Sequence, residues 1–557
     1  MHPMKIITLE KGRYLEHKAN EGGLSFSEMM ENAGRQTALA IHRRLGAKDR
    51  RIVVLVGPGN NGGDGLVAAH YLREMGARVT CYLWKRGVAG DANFERIETD
   101  GLPVVWAEDD AGFEALRGLL SGADVIVDAL LGVGVCRSIG GMLKDLLDTV
   151  RQVVAEQAVP SGLAESVPCS PAQPSVLVVA VDCPTGLNCD TGALDPAALP
   201  ADLTVTFAYP KVGLLRFPGA EAVGNIVVAD IAIPPELADD VPLEMATAKM
   251  VRDWLPQRPR SAHKGSFGRA LIVAGSVNYV GAAVLAGTGA TRVGAGLVTM
   301  ALPIPIQPAV AASLTEATYL LLPHDLGVVA SDAVEVLRER VGEYDALLLG
   351  PGLTQEKETV AFVHAFLGLE RSERKGHIGF LDSSAEEPGH LILPPLVVDA
   401  DGLNALAAAG EWWKVLPSET ILTPHPGEMA RLMGSSVTAK EIQADREGMA
   451  QRMAAEWNTV VVLKGAFTVV AAPDGRVVVL PFANPGLATA GSGDVLAGAI
   501  VGLRGQGMAA FEAAVAGAYL HGLAGELARA DLGDMGMVAG DLPARLPLAL
   551  RRVRGGQ

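Results

Sequence analysis

Residues Asn484 to Gly498 read NPGLATAGSGDVLAG, and they place Gly491, Ser492 and Gly493 directly before Asp494. An apolar, helix-like run follows (VLAGAIVGL). Glycines let a chain turn sharply, so that several N–H groups can point at one place. The N-terminus of the following helix adds partial positive charge there. Together these would cradle a phosphoryl group in transit, with Asp494 placed to take the proton of an attacking hydroxyl. The simpler reading is a glycine-rich turn whose aspartate caps a helix.

A second set of polar residues sits at the ends of apolar runs in the first half. GPGNNGGDG (57–65) follows RIVVLVG, and Gly57, Gly59 and Gly62 satisfy the dinucleotide pattern GxGxxG in a strand-to-helix context. The run carries more polar groups than a pyrophosphate turn needs: Asn60, Asn61 and Asp64, with Gly62 and Gly63 between them. Asp128 ends VIVDALLG, Asp182 ends VVAVDCPTG with Thr185 beyond it, and Lys211 lies in TFAYPKVGL. Ligands of parallel sheets collect at the carboxyl ends of strands. Asn61, Asp128 and Thr185 offer hard oxygen donors for a cation, and Asp182 with Lys211 makes an acid/base pair. Each of these residues could instead cap a turn or be solvated.

The elements that must position these groups alternate. Strands are predicted at 51–57, 77–83, 123–130, 176–181 and 203–207, with a helix over 66–75, and near-continuous apolar strands mean a parallel sheet covered on both faces. A surface insertion rich in Pro, Ser and Ala is expected over about 151–175. A seam of prolines and acidic residues follows Ile233. It divides the chain into expected domains 1–244 and 245–557. In the second, strands are predicted at 270–274, 346–349, 396–399 and 460–463. The fold class is therefore α/β, two three-layer α/β/α domains.

With 557 residues, 49% hydrophobic and 20% charged, the chain can bury sizeable cores. A net charge of −16 argues against nucleic acid as a partner. The five cysteines form no CxxC pair, so neither structural zinc nor a disulfide framework is expected and a reducing cytoplasm fits. No secretory signal or membrane span is read from the sequence.

The N-terminal motifs resemble the NAD(P)H-hydrate epimerases over roughly 23–233: ENAG (31–34), GNNGGDG, VDALLGVG, VDCPTGLNCDTG and the YPK segment. The resemblance implies a Rossmann-like domain that binds a potassium ion through Asn61, Asp128 and Thr185. The hydrated dinucleotide would meet Asn60 to Asp64, the run Gly132, Val133, Gly134, Val135, Cys136, Arg137 and Ser138, and Asp182. The strand ending at Leu83 lacks the acid that grips a ribose in dehydrogenases, although Lys85 and Arg86 beside it could hold a 2′-phosphate.

The C-terminal motifs are HKGSFG (263–268), RVGAGLVT, GPG (350–352), VDADGLNAL, TPHPGE, KGAFT and the AGSGD run, with no Walker A sequence. Their order and spelling resemble the ribokinase-like superfamily, and within it the NAD(P)H-hydrate dehydratases, over about 251–548. The resemblance implies ADP as co-substrate, held by Lys464, Gly465, Ala466, Phe467, Thr468 and Gly493, with Mg²⁺. Gly352, His425 and Asp494 would face the hydrated nicotinamide. Two such halves in one chain resemble the bifunctional repair enzymes. These would epimerise NADHX and NADPHX, then dehydrate the S form with release of AMP and phosphate. A homo-oligomer is expected.

Rival readings are a small-alcohol kinase, a dinucleotide dehydrogenase built on the first domain, and a nucleotide sensor. Restored NADH plus AMP from hydrate and ADP would separate them.

Overall fold

The computed structural model describes residues 3–133, 138–158, 176–369, 392–434 and 436–555. The chain divides into two compact units, Met1–Val241 and Pro242–Gln557. No helix among the described residues is long and apolar enough to cross a membrane.

The first unit is built on a wholly parallel sheet. Its strands are β1 (Arg51–Val56), β2 (Arg78–Leu83), β3 (Val104–Trp106), β4 (Val125–Ala129), β5 (Leu177–Val181), β6 (Leu203–Phe207) and β7 (Asn225–Ala229). They lie in the order β3-β2-β1-β4-β5-β6-β7. Val54, Leu55 and Val56 are fully buried, as are the five residues of β4. Each buried Val, Leu or Ile among them contributes about 1.5–3 kcal/mol. The order reverses between β1 and β4, so the crevice for a ligand opens there, beyond the strands' carboxyl ends.

Helices α1 (Leu9–Glu21), α2 (Phe26–Leu45), α3 (Asn60–Glu74) and α4 (Met142–Ala158) belong to this unit. A reciprocal cap starts α2: Ser25 Oγ accepts from Glu28 N at 3.2 Å, and Glu28 Oε2 accepts from Ser25 N at 2.9 Å. Three expectations change. The helix read as 66–75 begins at Asn60, so GNNGGDG forms its first turns rather than a loop before it. Residues 151–158 of the expected insertion continue α4, whose amphipathic pattern carries on past Arg151; 159–175 lie outside the described residues. The sulfurs of Cys183 and Cys189 are paired across a short turn, where no disulfide was expected; the fold, not a CxxC spacing, brings them together.

The second unit has β8 (Leu243–Met245), β9 (Arg269–Val273), β10 (Leu297–Pro303), β11 (Thr318–Leu322), β12 (Ala346–Leu349), β13 (Leu396–Val398), β14 (Ile421–Leu422), β15 (Val460–Leu463), β16 (Val469–Ala471) and β17 (Val477–Val479). Their order is β8-β17-β16-β15-β14-β13-β12-β9-β10-β11. The run from β15 to β11 is parallel, while β16 pairs antiparallel with both β15 and β17. The order reverses between β9 and β12, and Gly275 N donates to Pro351 O at 2.8 Å across that point.

Helices α5 (Val280–Arg292), α6 (Pro426–Leu432), α7 (Ser492–Gly505), α8 (Ala510–Leu532) and α9 (Leu542–Val553) complete the frame used below. α7 packs on α5 with backbones in near contact. A Cβ at Gly498 would stand 2.0 Å from Ala286 O, and one at Gly289 would stand 2.6 Å from Val495 O. Glycine is needed at both places, and the fit fixes where the first turn of α7 points.

Candidate active sites

In the first unit, glycines bring the start of α3 against the switch point. A Cβ at Gly57 would stand 1.7 Å from Leu130 O, one at Gly62 2.1 Å from Gly57 O, and one at Gly65 2.5 Å from Ala129 Cβ. GNNGGDG therefore holds the helix close to β1 and β4 as well as exposing N–H groups. Gly59 caps α3 with no side-chain acceptor. Arg86 is not available for a 2′-phosphate. Its Nη1 donates to Gly57 O at 2.9 Å and Gly59 O at 3.0 Å, and its Nε donates to Asp91 at 2.8 Å. The guanidinium serves as a brace behind the glycine-rich turn.

Asp128 and Thr185 come together, fully buried, at the ends of β4 and β5. Asp128 accepts from Thr185 N at 2.8 Å, Thr185 Oγ1 at 2.7 Å and Leu130 N at 3.2 Å. Burial pushes the Asp128 carboxyl up to about 6, against the pull of those donors. Asn61 is buried, and its Nδ2 meets no partner among the described residues. Gly132 lies against it: a Cβ there would stand 3.2 Å from Asn61 Oδ1. Of the predicted substrate run, Gly132 and Val133 are half-buried and Ser138 is exposed; Gly134 to Arg137 lie outside the described residues.

Asp182 has φ +61°, a conformation aspartate tolerates better than most residues. It turns the carboxylate back across the sheet, where it accepts from Thr206 Oγ1 at 3.0 Å, Phe207 N at 3.1 Å and Lys211 Nζ. Lys211 also donates to Thr206 Oγ1 at 3.0 Å and Phe207 O at 3.1 Å. Asp64 is buried without a hydrogen bond among the described residues. Desolvation, then the charges of Asp182 and Glu16, hold its carboxyl well above the ordinary range. Glu16, exposed on α1, has its carboxyl raised by desolvation and then by the charge of Asp182. Nothing in the sequence flags Glu16, which sits among other charged residues of α1. Asn60 is exposed at the mouth.

In the second unit the AGSGD run behaves as a helix start. Gly491 has φ +89° and caps α7 without a side chain. Among the described residues the N–H groups of Gly491 and Gly493 meet no acceptor, while Ser492 N points to Thr489 O at 3.4 Å. Ser492 Oγ donates to Leu487 O at 2.8 Å, and buried His521 holds Ser492 O through Nε2 at 3.0 Å. Burial lowers the His521 imidazole to about 4, so it is neutral.

Asp494, in the first turn of α7, is pushed up to about 7, first by desolvation and then by the charge of Asp399. Asp399 directly follows β13 and is almost wholly buried, accepting from Thr423 Oγ1 at 2.7 Å and Lys464 Nζ at 2.6 Å. Lys464 Nζ also lies 3.7 Å from Glu428 Oε2. Burial pulls the lysine down, but Asp399 and Glu428 outweigh it and keep the ammonium charged. A Cβ at Gly493 would stand 3.4 Å from that ammonium, so the bare glycine keeps the pair open to a ligand.

His425 caps α6. Its Nδ1 accepts from Gly427 N at 3.0 Å and Glu428 N at 3.3 Å, and Glu428 Oε2 accepts from His425 N at 2.8 Å. The ring is half-exposed, and its Nε2 lies 3.5 Å from Glu428 Oε1. Gly352 follows β12 with φ +65°, and a Cβ there would stand 2.7 Å from Tyr279 Cβ. Gly465 to Thr468 form the tight turn between β15 and β16, where Thr468 Oγ1 donates to Gly465 O at 2.8 Å. Asp399 and Glu428 carried no sequence assignment. Their signals were present: an acid closing an apolar strand, and the third position after His425 in a capping box.

Residues 270–547 match a family model described as NAD(P)H-hydrate dehydratase, and residues 27–213 match one described as YjeF-related protein N-terminus. The bifunctional NAD(P)H-hydrate repair enzyme Nnr of Moorella thermoacetica is 40% identical over 557 residues, covering 98% of this chain and 97% of that protein. The Escherichia coli protein of the same name is 32% identical, covering 93% and 88%. A solved structure of the ADP/ATP-dependent NAD(P)H-hydrate dehydratase from Bacillus subtilis, co-crystallized with ATP/Mg²⁺, is similar with 34% identity and a TM-score of 0.45. It covers 57% of this chain and 100% of that one.

Proposed function

The chain belongs to the bifunctional NAD(P)H-hydrate repair enzymes, an epimerase joined to a dehydratase, and from that membership we propose how its own residues divide the work. The second unit dehydrates the S hydrate with ADP. The hydroxyl carbon of the hydrate is bonded to the ring nitrogen, and hydroxide leaves it poorly. The hydroxyl oxygen attacks the β-phosphorus, Asp494 takes its proton, and the bond to AMP breaks. The N–H groups of Gly491 and Gly493 and the ammonium of Lys464 stabilise the phosphoryl oxygens. The ring nitrogen lone pair then expels phosphate, and loss of a proton from the neighbouring carbon restores the dihydropyridine. Gly352 and His425 border the nicotinamide, and the turn 465–468 with Gly493 borders the nucleotide.

Among the described residues no group of three acidic, histidine or cysteine side chains stands ready for a metal. Mg²⁺ is therefore proposed to arrive on the ADP phosphates, whose charge it offsets.

The first unit interconverts the R and S hydrates. Asp182 and Lys211 move protons at the hydrated carbon, between Asn60–Asp64 and the run 132–138. Asn61, Asp128 and Thr185 would hold potassium. Their oxygen donors and single carboxylate suit a large monovalent cation, which would supply a fixed positive charge beside the substrate phosphates. A cytoplasmic homo-oligomer completes the proposal.

The observation that carries this reading is Asp494 at a helix start with open N–H groups, next to the Lys464–Asp399 pair. The test supplies S hydrate and ADP and follows the absorbance of NADH together with AMP. NADH without a matching yield of AMP would refute the phosphorylated intermediate.

A further inference from the structure

The far end of α7 carries a crevice that neither active site uses. Gln506 caps α7 there, Val293 caps α5 and Arg554 caps α9, so three helices end at one place. The cavity measures about 240 Å³. Leu255, Val293 and Leu550 supply an apolar floor, Arg258, Arg551 and Arg554 surround it, and no carboxylate is among the described lining residues. At 1.5 Å per residue, Gln506 lies roughly 18 Å along the helix from Asp494.

Three cations around one hollow need a reason in a chain of net charge −16. Part of the reason is local, because carbonyls at helix C-termini attract cations. Arg258 donates to Gly294 O at 3.2 and 3.1 Å, and Arg554 Nη2 donates to Pro256 O at 2.8 Å. Gln506 already serves Val293 O at 3.2 Å and Gly502 O at 2.9 Å. That leaves a surplus. Each guanidinium has five N–H donors, and Arg551 makes no hydrogen bond or ion pair among the described residues. Arg258 is fixed over the Phe267 ring, 3.7 Å from its centroid. Burial, and then the charge of Arg554, pull its guanidinium below the usual arginine value. Like charges are thus held together with free donors and no acid to balance them.

We propose that this crevice binds the phosphate of a small organic phosphate, whose apolar body lies on the Leu255–Val293–Leu550 floor. Guanidinium donors pair with phosphate and carboxylate oxygens alike, and three cations together suit a phosphate dianion better than a lone carboxylate. The floor distinguishes an ester from free phosphate.

The test titrates the full chain calorimetrically with phenyl phosphate and, separately, with inorganic phosphate. Saturable binding of phenyl phosphate, tighter than inorganic phosphate, is expected. Arg551→Gln/Arg554→Gln should weaken it about tenfold, the scale of one lost charged hydrogen bond. Turnover of the S hydrate in phosphate-free buffer should stay unchanged. Arg551→Gln alone alters an exposed side chain and should weaken binding severalfold without touching the fold, so it decides the matter if the double variant is unstable. Equal affinity in wild type and variants, or inorganic phosphate binding as tightly as the ester, would overturn the proposal.

Discussion

Lys464 and Asp399 lie 65 positions apart in sequence and meet at 2.6 Å, the ammonium on a carboxylate that is almost wholly buried. The pair sets the charge that Asp494 feels. Asp399 pushes the Asp494 carboxyl up and Lys464 pulls it down, with desolvation larger than either. A base that starts near 7 can take a proton and return it within one turnover.

Asp494→Asn should keep the fold and ADP binding and lose most dehydratase turnover. In the wild type, kcat should rise with pH through about 7 as the carboxyl ionises. The stability trend runs the other way. The folded carboxyl is raised from 3.8 to about 7, so its contribution is present below pH 4 and is lost as pH rises through 7. The Asn variant should therefore melt higher than wild type at pH 8 and equally at pH 4. Thermal melts across that range measure the gap, and wild-type turnover in the variant would remove Asp494 as the base.

Asp399→Asn should leave the Lys464 ammonium without its main partner and destabilise the second unit by about 3 kcal/mol. Because Asp399 raises Asp494, the acid limb of the remaining pH–rate profile should move to lower pH. An unmoved limb would mean the two carboxylates do not interact as drawn.

Asp182→Ala should still consume S hydrate at the wild-type rate and leave R hydrate at its spontaneous rate. Lys211→Met keeps the Asp182 carboxylate buried and unpaired, at a cost of about 3–5 kcal/mol. The measurement is the decay of each pure epimer in the presence of excess ADP. Equal decay of both in Asp182→Ala would take that residue out of the mechanism.

Potassium should raise the melting temperature more at pH 8 than at pH 5. Asp128 is raised from 3.8 to about 6, so its contribution to stability is present below pH 4 and lost as pH climbs through 6, when a buried carboxylate is left to be balanced. A cation would offset that charge only in the ionised form. Thr185→Val removes the 2.7 Å donor to Asp128 and should cost about 1–2 kcal/mol and shrink the potassium effect. The proposed site is wrong if sodium and potassium stabilise equally at both pH values.

Much of this protein could be read locally. Apolar runs of four to eight residues marked β1, β2, β4, β5, β6, β9, β12, β13 and β15, and their alternation with helices gave the parallel sheet of the first unit, because side-chain period and turn residues act over a few positions. Motif spelling marked Asp494, Asp182 and Lys211 as candidates, and it carried the family. What local patterns could not give was partnership. A parallel sheet gathers the ends of strands that are far apart in sequence, so Asp399 finds Lys464, and the charge of Glu16 reaches Asp64, only once the chain folds. The glycines make the same point. In the sequence they suggested exposed N–H groups. In the structure Gly62, Gly65 and Gly498 are needed because backbone or a side chain occupies the space of a Cβ. Arg86, which with Lys85 could have held a 2′-phosphate, is drawn inward by two carbonyls and an aspartate that only the folded chain places around it.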